Sequence, residues 1–155
     1  MIYLLRHAHA GNKQAWSGPD GRRPLSATGR REAAGLLVQL RDRPVDAILS
    51  SPSLRCRQTV RPLAEERRLP VALDRRLDVD AAFEQAAALL FTPGLGDAVL
   101  CTHGELIGDV LYRLREAGAP IGPDARWPKG STWLLRVDGD RVADAAYLPP
   151  VRASG

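Results

Sequence analysis

Cysteine and histidine are scarce in these 155 residues, with two of the first and three of the second, and lysine supplies only two of the 22 basic side chains. Two cysteines cannot staple a chain of this length. Cys56 and Cys101 each lie inside an apolar or helical pattern and read as buried reduced thiols, which suits a cytoplasm. No apolar run approaches the roughly 18 residues that cross a bilayer, and Arg6 interrupts the N-terminal apolar stretch before a signal-peptide core forms. The chain therefore reads as soluble, with no membrane partner.

Aromatic residues make up only 5% and the formal net charge is +4. A positive balance suits phosphate ligands or nucleic acid. No segment carries a compact basic run with interleaved aromatics, however, and Asp and Glu are mixed in throughout. No nucleic-acid partner is expected, and the arginine excess follows a bias along the whole sequence. Hydrophobic residues at 45% and charged residues at 26% are ordinary globular usage. The length predicts one domain that can bury a core without metal or disulfide staples.

Apolar runs and helical periods alternate along the chain. Ile2 to Leu5 reads as a buried strand, and the polar stretch Arg6-His7-Ala8-His9-Ala10-Gly11 follows at its end. Residues 12–24, rich in Gly, Pro, Asp and Arg, form a loop. Ser26 or Thr28 can cap a helix carrying Ala33, Leu36, Leu37 and Leu40, which Pro44 ends. Val45 to Leu49 is a second strand, and Ser51 or Ser53 caps the helix through Leu54, Thr59, Leu63 and Ala64. Val71 to Leu73 is a third short strand, and Ala81 to Phe91 a helix that stops before Pro93-Gly94. Ala98 to Thr102 is the clearest later strand; His103-Gly104 follows it, and a helix runs from Glu105 to about Ala117. After a Pro- and Gly-rich loop, Thr132 to Val137 and Arg141 to Tyr147 flank the hairpin signal Asp138-Gly139-Asp140. This order predicts an α/β fold, a three-layer αβα sandwich around a largely parallel central sheet, with one domain over residues 1–148 and a frayed tail at 149–155.

Two of the three histidines, His7 and His103, fall just after the central strands. Strand ends of a parallel sheet share one edge, so two imidazoles nearly a hundred residues apart can meet in one crevice. Arg6 stands beside the first, and Arg55 would project near the same edge from the start of the second helix. Histidine with arginine and no surplus carboxylate suits an anion, because arginine donates fork-like pairs to phosphate oxygens.

At this point a resemblance becomes specific. Leu5-Arg6-His7-Ala8 resembles the Arg-His-Gly signature of the histidine phosphatase superfamily, the phosphoglycerate mutase-like group, with Ala8 where Gly is usual. Arg23-Pro24-Leu25-Ser26-Ala27-Thr28-Gly29 is similar to its loop-to-helix segment. Ser50-Ser51-Pro52-Ser53-Leu54-Arg55-Cys56-Arg57-Gln58-Thr59 is similar to its Ser-Ser-Pro-x-x-Arg-Ala-x-Gln-Thr segment, with Cys56 for Ala. Cys101-Thr102-His103-Gly104 resembles its second His-Gly. The brevity of the chain is similar to the small SixA-type phosphohistidine phosphatases. Its C-terminal part, Trp127 to Trp133 and Tyr147 to Pro150, resembles the phosphatase module that in some actinobacterial proteins follows a Nudix hydrolase domain, although no Nudix sequence is present here.

The resemblance implies a phosphatase acting on a phosphomonoester or protein phosphohistidine, with His7 attacking phosphorus and Arg6, Arg55, His103 and Gly104 holding the phosphoryl oxygens. It implies no metal and no cofactor; the substrate is a phosphorylated small molecule or phosphoprotein. The general acid stays open among Asp78, Asp80 and Glu105. A metal site is weighed because His7-Ala8-His9 and Cys101-Thr102-His103 have chelating spacings, but two neighbouring arginines would repel a dication. His9 and Arg57 read as loop and solvated helix residues, and Trp16, Trp133 and Lys129 as packing residues or substrate rim. Two alternatives stand beside hydrolysis. Ala8 and the unidentified acid suit a non-catalytic phosphate-binding module, and a phosphoglycerate-type mutase would need lid sequence that this chain has little of. Specificity is expected in residues 10–24 and 118–133.

Overall fold

Side-chain alternation along two central strands decides the layering. In a computed structural model, which describes residues 1–154, strand β1 (Ile2–Arg6) sends Ile2 and Leu4 into one core and Tyr3 and Leu5 into the other. Strand β4 (Ala98–Thr102) pairs with it in parallel and divides Ala98 and Leu100 from Val99 and Cys101 in the same way. Strands apolar on both sides need cover on both faces. Helices α1 (Ala27–Gln39) and α2 (Leu54–Arg67) cover one face, through Leu36, Leu40, Val60 and Leu63. Helices α3 (Phe83–Leu90) and α4 (Gly104–Glu116) cover the other, through Leu89, Leu90, Ile107 and Leu111. The predicted three-layer sandwich is the fold found.

The sheet is completed by β2 (Ala47–Ser50), β3 (Val71–Leu73), β5 (Thr132–Asp138) and β6 (Arg141–Leu148), in the order β3-β2-β4-β1-β5-β6. The first four strands are parallel, and the β5–β6 hairpin adds an antiparallel edge. Both cysteines are buried and free. No helix among the described residues is long and apolar enough to cross a membrane.

Several boundaries move for local reasons. β2 starts at Ala47 because Asp46 is occupied in a lock with Asp97, its amide bonding the Asp97 carbonyl at 2.6 Å and its carboxylate taking the Asp97 N–H at 2.9 Å. α1 is capped by Ser26, whose Oγ accepts the Gly29 N–H at 3.0 Å. α3 is shorter than its apolar pattern because it starts from Ala82, which offers no side-chain acceptor for a cap. The tail expected to fray from Pro149 lies instead along α1: Gln39 Nε2 donates to the Pro149 carbonyl at 2.6 Å, and the Ala153 N–H to the Arg31 carbonyl at 3.0 Å. Its short, aperiodic sequence hid backbone docking, which leaves no trace in hydrophobic periodicity.

Parallel pairing of β1 with β4 sets Arg6 opposite Thr102. The next residue of each strand is therefore a histidine at the same sheet edge, and the His7 N–H continues the ladder to the Thr102 carbonyl at 3.0 Å.

Candidate active site

At that edge the two imidazole rings lie 5.4 Å apart, centroid to centroid, at 65°. His7 Nδ1 sits 2.8 Å from the Ala8 carbonyl. A carbonyl only accepts, so Nδ1 carries the proton and the neutral ring keeps its lone pair on Nε2, which has no partner among the described residues. Burial drives the His7 pKa down to about 3; the Nδ1 bond to Ala8 opposes this, while His103, Arg55 and Arg6 reinforce it. At neutral pH the ring is an unprotonated nitrogen base surrounded by cations.

α2 fixes the chain that carries this ring. The Ala8 N–H donates to Thr59 Oγ1 at 2.9 Å, the Thr59 hydroxyl donates to the Arg55 carbonyl at 2.7 Å, and Gln58 Oε1 accepts the Leu25 N–H at 2.8 Å. The Ala8 methyl is buried with Ala10, Leu25 and Ala33. α1 presses on the same segment from its first turn, where a Cβ on Gly29 would come within 1.9 Å of the His9 carbonyl oxygen. Gly29→Ala must push helix and loop apart, and an overpacked contact of this kind costs about 1–3 kcal/mol or more. We expect the urea midpoint to fall accordingly, with loss of turnover at temperatures where the variant remains folded.

Two guanidinium groups face the His7 ring. Arg6 donates from Nη1 to the Trp127 carbonyl at 2.9 Å and crosses the start of α4, where a Cβ on Gly104 would lie 2.7 Å from its Cζ. Arg55 is almost wholly buried. It donates from Nη1 to the Asp20 carbonyl at 2.8 Å, and from Nη2 to Asp20 Oδ2 at 3.0 Å and to His103 Nδ1 at 3.3 Å. Arginine only donates, so His103 Nδ1 accepts, which places the proton of the neutral ring on Nε2, 2.9 Å from Ser51 Oγ. The Ser51 hydroxyl in turn reaches Asp78 Oδ1 at 3.3 Å. The Nε atoms of Arg6 and Arg55 are both buried without a hydrogen-bond partner. Buried unpaired donors on cationic groups are costly, and an entering anion would satisfy them.

A pocket of about 190 Å³ opens on Arg6, His7, Arg55 and His103 and is rimmed by Lys13, Asp20, Arg23, Glu105 and Lys129. Five of its side chains are cationic and two are carboxylates, so it is built for an anion. Residues 2–79 match the model of the histidine phosphatase superfamily, branch 1. The chain belongs to that superfamily.

Among similar proteins is an 8-oxo-(d)GTP phosphatase of Mycolicibacterium smegmatis, 29% identical over 96% of this chain; the chain spans only 48% of that protein's length. An uncharacterised protein of Mycobacterium tuberculosis is 34% identical, covering 97% of this chain and 96% of its own. The structure of the protein histidine phosphatase SixA complexed with tungstate superposes with a TM-score of 0.73 at 19% identity, over 97% of this chain and 96% of that one, a likeness of fold. Superfamily membership and the phosphatase named among these relatives support a phosphatase.

Of the residues singled out in the sequence, Arg6, His7, Arg55 and His103 converge on one pocket of this histidine phosphatase fold. Gly104 does not line it, and lies instead beneath the Arg6 guanidinium. The three carboxylates separate. Asp78 is drawn behind His103, where it accepts from Ser51 and from the Val79 N–H at 2.8 Å. Asp80 is exposed and does not line the pocket, while Glu105 does. Of the three, only Glu105 lines the pocket, while Asp78 stands 3.8 Å from His103 Nε2 just after the 3-10 turn Arg75–Leu77. His9 binds Ser26 through Nδ1 at 2.7 Å, Arg57 is exposed, and Trp133 is a packing residue whose Nε1 donates to the Arg126 carbonyl. Trp16 borders a separate hollow of about 270 Å³ that shares Gly11 and Arg23 with the pocket. Among the described residues no three His, Cys, Asp or Glu side chains converge to hold a metal ion.

Sequence reasoning missed Asp20, Arg23 and Lys13. Asp20 bridges Arg55 and Arg23, with Oδ1 3.2 Å from Arg23 Nε. Burial alone would raise its pKa; the hydrogen bonds and charges of Arg23 and Arg55 outweigh it and hold the carboxyl below its usual range. For Asp20 and Lys13 the signal was a loop of mixed charge next to a strand end, within the stretch 10–24 where specificity was expected, and for Arg23 it was also the family-like segment that it opens.

Proposed function

We propose that this phosphatase works without a metal, through a phosphohistidine on His7. Nε2 of His7 attacks phosphorus, while Arg6 and Arg55 hold the non-bridging oxygens and neutralise the charge that moves from donor to acceptor, and His103 adds a third donor when its Nε2–H turns from Ser51 to the substrate. Water then releases the phosphoryl group from the ring. The observation that carries this reading is the neutral His7 ring, its Nδ1 tied to Ala8 and its Nε2 free, in one pocket with the buried Arg55 and the half-buried Arg6, whose Nε donors are unpaired.

A non-catalytic module was suggested by Ala8 in place of glycine. The methyl group has its own buried niche and does not reach into the pocket, so the substitution takes nothing from the site. Phosphomonoesters, phosphohistidine peptides and nucleotides all belong in the substrate panel, the last because of the name of the mycobacterial relative. With EDTA present, the protein should release inorganic phosphate from members of that panel and accumulate an acid-labile, alkali-stable phosphoenzyme on quenching. Absence of both phosphate release and phosphoenzyme across the panel would overturn the proposal.

A further inference from the structure

The chain has two lysines, and both line the pocket described above. Lys13 comes from the loop after β1 and Lys129 from the loop before β5, from opposite ends of the sequence. Neither ammonium group forms an ion pair among the described residues. Arg23 stands with them, tied to the Ala10 carbonyl through Nη1 at 2.7 Å. Burial lowers the Lys129 pKa, and the charges of Arg6, Arg23 and Arg55 push it the same way against the opposing carboxylate of Glu32, which records how closely these cations are crowded.

Arg6, Arg55 and the two histidines suffice to surround one phosphoryl group. Lys13, Arg23 and Lys129 are cations beyond that need, offset in the pocket lining by Asp20 and Glu105 and, at Lys129, by Glu32 from outside it. An esterified diphosphate carries about one more negative charge than a monoester, and like charges assembled without a counter-charge are stabilised by the ligand that supplies it.

We propose that the substrate is a phosphoanhydride, its terminal phosphoryl group in the Arg6–His7–Arg55–His103 cradle and its second phosphate held by Lys13, Arg23 and Lys129. This rests on the phosphatase reading above and names its substrate class. In the first step a bond forms between His7 Nε2 and the terminal phosphorus as the bond from that phosphorus to the bridging oxygen breaks. The bridging oxygen keeps the electron pair and leaves as part of a phosphate. Water then cleaves the N–P bond, its hydroxyl going to phosphorus and its remaining proton to solvent, so that an esterified diphosphate and water give a phosphomonoester and inorganic phosphate. Such a leaving group departs as an anion and needs cations beside it rather than a proton donor. That suits a pocket whose carboxylates are Asp20, locked between two arginines, and the exposed Glu105.

The test is calorimetric titration of the His7→Ala protein, in EDTA, with inorganic pyrophosphate and with inorganic phosphate. Pyrophosphate should bind about 10- to 100-fold more tightly than phosphate, and Lys13→Ala with Lys129→Ala in the same background should erase that advantage, urea midpoints showing that the variants are folded. Equal affinities, no measurable pyrophosphate binding, or an advantage that survives loss of both lysines would overturn the subsite. Turnover by the unsubstituted protein is scored separately. Phosphate release with equal affinities sinks the subsite and keeps the phosphatase mechanism; tight, lysine-dependent pyrophosphate binding without any turnover supports the subsite and sinks the mechanism.

Discussion

His7→Ala will lower phosphate release by about 10⁴- to 10⁶-fold and abolish the phosphoenzyme, the scale seen when a covalent nucleophile is removed. No neighbour can take over. His103 is 5.4 Å away between ring centroids, but its Nδ1 accepts from Arg55 and its Nε2 faces Ser51, so neither nitrogen presents a lone pair to the pocket. The same ring sets the pH profile. The reactive form is unprotonated, and burial holds the pKa at about 3 rather than 6.5. With a substrate in one charge state, kcat/KM should therefore stay level as pH falls from about 7 to about 5 and decline only on approach to 3. An acid limb centred near the ordinary imidazole value would show that the ring is solvated and charged, contrary to its burial. Stability has the same sign: the unfolded chain takes up the proton first, so the contribution of His7 is full above 6.5 and is lost as pH falls towards 3.

The central strands were legible because both faces of β1 and β4 are apolar, which only a doubly covered parallel sheet explains. Once they are central, the placement of His7 and His103 at one edge follows from topology, without knowledge of any loop. Arg55 was legible by the same logic, as the residue one step inside the helix after β2. What decides the pocket rim comes from segments with no period. Residues 12–24 return Asp20 onto Arg55 through side-chain and carbonyl contacts, with Arg23 bound to Asp20 in turn, and such contacts depend on backbone turns that composition does not specify. Asp78 shows the limit from the other side. Its position in the chain was compatible with the pocket, yet it takes a hydrogen bond from Ser51 beside His103 and does not line the pocket. The docked tail makes the same point, since the backbone of Pro149 and Ala153 meets Gln39 and the Arg31 carbonyl through contacts that no hydrophobic period announces.

Arg55→Ala will lose about 10²- to 10³-fold in kcat/KM, the usual effect of removing one preorganised donor to a developing charge. Arg55→Lys will recover little of it. The guanidinium spans three acceptors at once, with Nη1 on the Asp20 carbonyl, Nη2 shared by Asp20 Oδ2 and His103 Nδ1, and Nε left without a partner. A single ammonium cannot reproduce that fork. If it faces the pocket it releases Asp20 and leaves His103 Nδ1 without its donor; if it holds them it is withdrawn from the substrate. The loss should therefore appear in kcat as well as KM, because the donor matters most when charge develops. Arg57→Ala is the control on the same helix: that side chain is exposed and away from the pocket, and its loss should change kcat/KM little. Comparable losses at Arg55 and Arg57 would mean that helix stability, and not the cradle, is being measured, whereas a deficit confined to Arg55, with an unchanged urea midpoint, places the guanidinium on the phosphoryl group.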